Sequence, residues 1–150
     1  MNIVGAEEKD LPRICELIRK EFPYTKLSFG DLRARFNSKE FFFLKAIKGK
    51  DMAGFIEFRK RGKEGKIFGL VVLENFRGEG IGEKLVNAAV DKIRKMGADE
   101  ITLIVAQDNE NAKKIYRNFG FRPFGFLERE IAGKKIEAMI LDATSAKTAS

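Results

Sequence analysis

The sequence predicts a single mixed α/β domain of the α+β kind, in which a mostly antiparallel sheet holds one central parallel strand pair and carries four helices. Three observations predict it. Apolar residues recur at helical spacing up to residue 36, short β runs punctuated by glycine follow from residue 41, and a strand–helix–strand succession occupies residues 67–106. With 150 residues, 44% hydrophobic and 34% charged, the chain has one domain's length and enough apolar residues for one core.

The first helix follows from Leu11, Ile14, Cys15, Ile18 and Phe22, with Asp10 as N-cap, Pro12 tolerated in the first turn and Pro23 as the stop. Ser28 opens a shorter helix, with Asp31 three residues on and Phe29, Leu32 and Phe36 as its apolar stripe. Residues 41–47 and 52–58 flank Lys48-Gly49-Lys50-Asp51 as a hairpin, and Gly62 and Gly65 bracket the turn into a third strand, 67–73. A helix over 80–96 places Ile81, Leu85, Ala89, Ile93 and Met96 on one face and stops at Gly97. Residues 101–106 form a buried strand, parallel to 67–73 because a helix connects the two. The last helix covers 109–119 and ends at Gly120, and strands 122–131 and 135–141 turn at Ala132-Gly133-Lys134. Small polar residues make 143–150 a flexible tail after a domain of residues 1–142.

Composition excludes much chemistry. There is no histidine, hence no Ser-His-Asp triad, no imidazole base and no His-ligated zinc. The single cysteine, Cys15, excludes intrachain disulfides and cysteine-rich clusters, so no metal site is expected, and its place on a buried stripe makes it a small core residue. Catalysis is left to carboxylates, tyrosine, lysine or backbone. Twenty-nine Lys and Arg against 22 Asp and Glu give a net charge of +7, which favours nucleic acid, anionic lipid or a phosphorylated cofactor as partner. The longest apolar run, residues 68–73, is far below the roughly 20 residues that span a bilayer. Glu7, Glu8, Lys9 and Asp10 interrupt any signal-peptide core, so the expectation is a cytoplasmic protein with no membrane partner.

Two segments carry chemistry. In the first, an apolar strand runs into a loop with Gly78, Gly80 and Gly82, which opens a helix. Glycine allows close approach of backbone to ligand, and free N–H groups at a helix N-terminus seat phosphate. A Rossmann fingerprint would need glycine at Glu83, and a P-loop would need Gly-Lys-Ser/Thr where Gly82-Glu83-Lys84 stands. A tight strand-to-helix connection without ligand is the plain alternative. In the second segment, Ala112, Ile115, Tyr116 and Phe119 share a helix face, so Tyr116 points inward and its hydroxyl needs a partner. Taken alone, it reads as an ordinary half-buried tyrosine.

Together, Arg77-x-x-Gly80-x-Gly82 after an apolar strand and Asn109-x-x-Ala112-x-x-x-Tyr116-x-x-x-Gly120-Phe121 about 30 residues later resemble the GNAT superfamily of acyl-CoA-dependent N-acyltransferases. The element order matches over nearly the whole chain, which implies a GNAT-like fold with a sheet of about seven strands. The resemblance implies that the amides of Arg77, Gly78, Glu79, Gly80, Ile81 and Gly82 hold the pyrophosphate of coenzyme A. It further implies that Leu70, Val71 and Val72 bind the pantetheine arm, chiefly through the backbone of Leu70 and Val72, in a gap where two parallel strands splay. The N–H near Val72 would polarise the thioester carbonyl, Asn109 would hydrogen-bond the pantetheine, and Tyr116 would protonate the departing thiolate.

This sequence departs from the pattern at Glu74, where proline is common, and at Ile104, where some relatives that acetylate protein N-termini carry a glutamate base. Glu57 is the best carboxylate substitute; a solvated strand-face charge is its bland reading, and a water chain is another route for the amine proton. Phe22 and Tyr24, at a bend before residues 25–27, are candidate walls of the acceptor site and equally candidate core anchors. The implied activity is transfer of an acetyl group from acetyl-CoA to a primary amine (a peptide N-terminus, lysine or small amine) by direct attack in a ternary complex. One competing reading is a non-catalytic acyl-CoA-binding module. Another is a nucleic-acid-binding protein using residues 59–66, which carry five positive charges against one negative. That run lacks interleaved aromatics and a reading helix, so it is read as a solvated hairpin tip. The last strands are where two copies would pair as a homodimer.

Overall fold

Alternation of side chains along each strand splits the apolar residues of the sheet into two cores, one per face. The computed structural model describes residues 1–23 and 25–144. Seven strands, β1 (Asn2–Gly5), β2 (Phe41–Lys48), β3 (Asp51–Arg61), β4 (Glu64–Val72), β5 (Glu100–Ala106), β6 (Arg122–Phe126) and β7 (Ile136–Asp142), form one sheet in the order β1-β2-β3-β4-β5-β7-β6. Four α-helices accompany them: α1 (Leu11–Glu21), α2 (Phe29–Asn37), α3 (Ile81–Lys95) and α4 (Glu110–Phe119). Phe43, Phe55 and Val71 face α1 and α2, where they meet Leu11, Ile14, Ile18 and Leu32. Leu44, Ile56, Phe58 and Ile67 face the other way, against Leu85, Val86, Ala89 and Ile93 of α3. All strand pairs are antiparallel except β4 with β5, joined through α3 as expected of a strand–helix–strand unit.

Local chemistry explains most element ends. Ser28 and Asp31 form a reciprocal capping box, the Asp31 amide donating to Ser28 Oγ at 3.0 Å and the Ser28 amide to Asp31 Oδ2 at 3.1 Å. Gly97, with φ +91°, stops the chain after α3. Cys15 is buried in the core beneath α1.

Several expectations need correction. Asp10 stands at the N-cap position of α1 as expected, but its side chain makes no cap hydrogen bond; a short 3-10 turn precedes the helix, and the carboxylate accepts instead from the Glu7 amide and from Lys45 Nζ, both at 2.7 Å. Burial opposes its charge, but the Lys45 hydrogen bond and the Glu7 amide outweigh it and hold the carboxyl below its usual range. Phe29 stays exposed, because α2 makes its ring contact with the sheet two turns later, Phe36 against Phe43 at 6.0 Å. The first strand, β1, is absent from the sequence-based expectation; it is a mostly exposed edge and shows no alternation to read. The sixth strand ends at Phe126 rather than at residue 131, its register broken between Pro123 and Phe126, where Gly125 takes φ +110°. Ala143 is buried, its amide donating to the Asp99 carbonyl and its carbonyl accepting from Arg94 Nε, so ordered structure runs past residue 142. Among the described residues, no helix is long and apolar enough to cross a membrane.

Two irregularities interrupt the middle of the sheet. Glu57 pairs with Gly69 but Phe58 with Ile67, so Phe68 is an extra residue in β4, a β-bulge. The parallel register of β4 with β5 runs only from Glu64↔Glu100 to Ile67↔Leu103 and then stops.

Close strand packing leaves no room for a side chain at Gly54. A Cβ there would lie 2.5 Å from the Val71 carbonyl oxygen and 3.2 Å from Val72 Cα, so Gly54→Ala must push β3 from β4. We expect a loss of about 1–3 kcal/mol by urea unfolding, whereas Gly5→Ala, with nothing within 4 Å, changes little.

Candidate active site

Where β4 and β5 cease to pair, the sheet opens into a cleft of about 140 Å³, continuous with solvent. Leu70 of β4 and Ile104, Val105 and Ala106 of β5 form its divergent walls. Asn109 and Tyr116 close one side at α4, while Phe22, Leu27 and Phe55 also line the cleft, near α1 and α2. Tyr116 is buried, as its helix face predicts, with its ring edge-on to Phe121 at a centroid distance of 5.7 Å. Asn109 is the N-cap of α4, its Oδ1 accepting from the Ala112 amide at 3.2 Å, so a residue expected to serve a ligand also starts the helix that carries Tyr116.

Glu57 overturns the bland expectation of a solvated charge. Its carboxylate lines the cleft and is only 3% exposed, because β3 is a central strand and Glu57 shares a sheet face with Phe55. Arg35 reaches from α2 and donates Nη1 to Glu57 Oε2 at 3.0 Å. Burial raises the Glu57 pKa, and Arg35 only partly opposes that rise. Sequence reasoning missed Arg35: it stands 22 residues from Glu57, and the only available hint was a cation on a short amphipathic helix. Ile104 also lines the cleft, 42% exposed. Phe22 lines the cleft over the bulged strand, where a Cβ on Gly69 would be 3.4 Å from its Cε2, and also packs on the α1 core. Tyr24 lies outside the described residues.

Residues 71, 72 and 77–82 do not line that cleft; the glycine loop follows β4 past Leu70, whose Cδ2 would lie 3.8 Å from a Cβ on Gly82. Gly78 and Gly80 adopt φ +83° and +78°, a region open to glycine at little cost, and Gly80 begins α3 with no side chain capping its amides. Gly82 also packs closely against α4: a Cβ there would fall 2.8 Å from Ile115 Cδ1, the end of a side chain that would have to turn aside. Arg77 folds back, donating Nε to the Val72 carbonyl at 3.0 Å and pairing with Glu21 at 3.4 Å, which ties the loop to β4 and α1. Glu79 pairs with Lys48. The Val71 and Ile81 side chains belong to the cores, so at those two positions only backbone is available to a ligand. An uncapped helix N-terminus at positive-φ glycines, followed by a gap between diverging strands, fits a phosphorylated cofactor with an extended arm.

Residues 11–121 match the acetyltransferase (GNAT) family. The chain belongs to this family. N-alpha-acetyltransferase 30 of Schizosaccharomyces pombe is 32% identical over 128 residues, covering 81% of this chain and 83% of that protein. The crystal structure of the NatC complex bound to Gag peptide and CoA matches with a TM-score of 0.81 at 25% identity, over 95% of this chain and 99% of that one. Spermidine N-acetyltransferase from Vibrio cholerae in complex with CoA and spermine matches with a TM-score of 0.79 at 20% identity, over 95% of each chain, and shares the fold. This GNAT protein is therefore an N-acetyltransferase that uses acetyl-CoA.

The buried carboxylate of this acetyltransferase makes stability depend on pH. The folded-state pKa of Glu57 lies above its ordinary value of 4.5, so its burial costs little below that value and is felt as pH climbs through the folded pKa. Urea titrations across that window should show the wild type losing stability relative to Glu57→Gln as pH rises. A constant difference would refute the assignment.

Proposed function

We propose that this enzyme acetylates the α-amine of a peptide by direct attack in a ternary complex. The observation that carries the reading is one cleft lined by both the Tyr116 ring and the buried carboxylate of Glu57. Among the described residues lining the cleft, Glu57 is the single carboxylate, and Arg35 already offsets part of its charge. A polyamine acceptor, with several cationic centres, would lack matching anions there. A single amine, followed by a neutral backbone, fits the apolar walls of Phe22, Leu27 and Phe55. The likeness to a protein named N-alpha-acetyltransferase supports the same choice.

When bound, acetyl-CoA supplies the thioester as acyl donor. In this reading, the amides of Arg77, Gly78, Glu79, Gly80, Ile81 and Gly82 hold the pyrophosphate, and the backbone of Leu70, Val71 and Val72 lies along the pantetheine arm with a hydrogen bond from Asn109. The N–H near Val72 donates to the carbonyl oxygen as negative charge develops there. Glu57 accepts the proton that the incoming ammonium must lose, directly or through one water. Its raised pKa makes it a stronger base than an exposed carboxylate. Arg35 positions that carboxylate and limits the rise. Tyr116 delivers a proton to the departing sulfur. Cys15 is buried under α1 and the sequence has no histidine, so a cysteine- or histidine-based acyl-enzyme is disfavoured.

Tyr116→Phe should lower kcat roughly 10- to 1000-fold in a thiol-release assay and leave the KM for acetyl-CoA nearly unchanged. An unaltered kcat on a good peptide would remove tyrosine from the mechanism. Arg35→Met withdraws the one opposing charge from Glu57, so the acidic limb of the kcat/KM profile should move to higher pH. A limb that stays in place in Arg35→Met, or persists in Glu57→Gln, would assign the base elsewhere.

A further inference from the structure

At the edge of the cleft, three cations gather on two phenyl rings. Phe41 and Phe68 lie 5.3 Å apart between ring centroids. The Arg35 guanidinium sits 5.1 Å from the Phe41 centroid and 5.5 Å from that of Phe68, and Arg59 sits 5.7 and 5.2 Å from the same two. Lys66 Nζ lies 5.0 Å from the Phe68 centroid. Of the three, Arg35 is paired with Glu57; Arg59 and Lys66 have no ion pair among the described residues. Neighbouring Arg61 takes up Glu40 at 2.8 Å, and Arg59 reaches that carboxylate only through a weaker, longer-range attraction. Two half-buried cations thus stand beside the cleft with their positive charge uncompensated.

The aromatic platform is continuous with the cleft, since Phe68, the bulge residue, lines it together with Arg35 and Glu57. An extended chain advances about 3.3–3.6 Å per residue. A peptide whose amine meets Glu57 and whose backbone leaves over Phe68 therefore brings its second or third side chain to Arg59 and Lys66. We infer that Arg59 and Lys66, held on Phe41 and Phe68, form a subsite for a carboxylate side chain at the second or third residue of the acceptor peptide. The subsite rests on the proposed peptide acceptor and adds to it a substrate class, peptides with an acidic residue just behind the reacting amine. Cations spread on aromatic faces keep their charge while losing part of their hydration, so an arriving carboxylate displaces less water.

The test is thiol release from peptides sharing one N-terminal residue and carrying Asp, Gln or Lys at positions two and three. The Asp peptide should exceed the Lys peptide about 10-fold in kcat/KM, mainly through KM, with the gap narrowing as salt is added. The double variant Arg59→Gln/Lys66→Gln should abolish the ranking while keeping wild-type turnover of the Gln peptide, which also reports its folding. The single variant Lys66→Glu should shift preference toward the Lys peptide. Equal use of all three peptides by the wild type, or a ranking that survives in the double variant, overturns the subsite and leaves the peptide acceptor standing. No thiol from any peptide overturns both.

Discussion

The parting of β4 from β5 after Ile67 and Leu103 is the constraint on which the candidate site depends. A parallel pair that continued to the ends of both strands would satisfy its own backbone and leave no gap. Here the pairing holds only where Gly65 packs beneath Ile93, so tightly that a Cβ would fall 2.5 Å from Ile93 Cγ2. One residue past the last pair, the bulge at Phe68 bends β4, and its C-terminal half is directed toward β3 and the glycine loop. Polar backbone groups exposed by such divergence need partners, from water or from a ligand with amides of its own. An extended arm with peptide-like groups meets that need, which is why splayed strands and an uncapped helix start belong to one binding surface.

What was legible in the sequence was whatever is local. The Ser28–Asp31 capping box, the glycines at the start of α3, the stop at Gly97 and the inward face of α4 each depend on residues a few positions apart. The parallel pair was legible too, because a helix between two apolar strands leaves little choice. The losses came where partners are distant or signals are weak. For Glu57 the sequence left both a base in the site and a solvated charge open, because alternation cannot say which face of a strand is covered once two helices lie on one side. The Asp10–Lys45 pair, 35 residues apart, hid behind a convincing N-cap assignment. An exposed edge such as β1 has no apolar pattern to betray it, and Gly82 looked like part of an anion cradle when it also packs closely against Ile115.

Arg35 links the two halves of the acceptor region. A carboxylate buried without a partner would stay protonated or unfold its surroundings, and one fully neutralised by a close cation would be a poor base. The Arg35–Glu57 geometry falls between these limits: one hydrogen bond at 3.0 Å, from a guanidinium that is itself partly solvated and shared with two phenyl rings. Burial outweighs the attraction and hydrogen bond from Arg35 and sets the carboxyl's pKa upward. The same stacking carries Arg59 and Lys66, so negative charge lies inside the cleft and positive charge at its rim. For the proposed peptide acceptor, such a field would draw the ammonium inward and hold a trailing carboxylate at the rim, whereas a polycation would meet repulsion at the entrance.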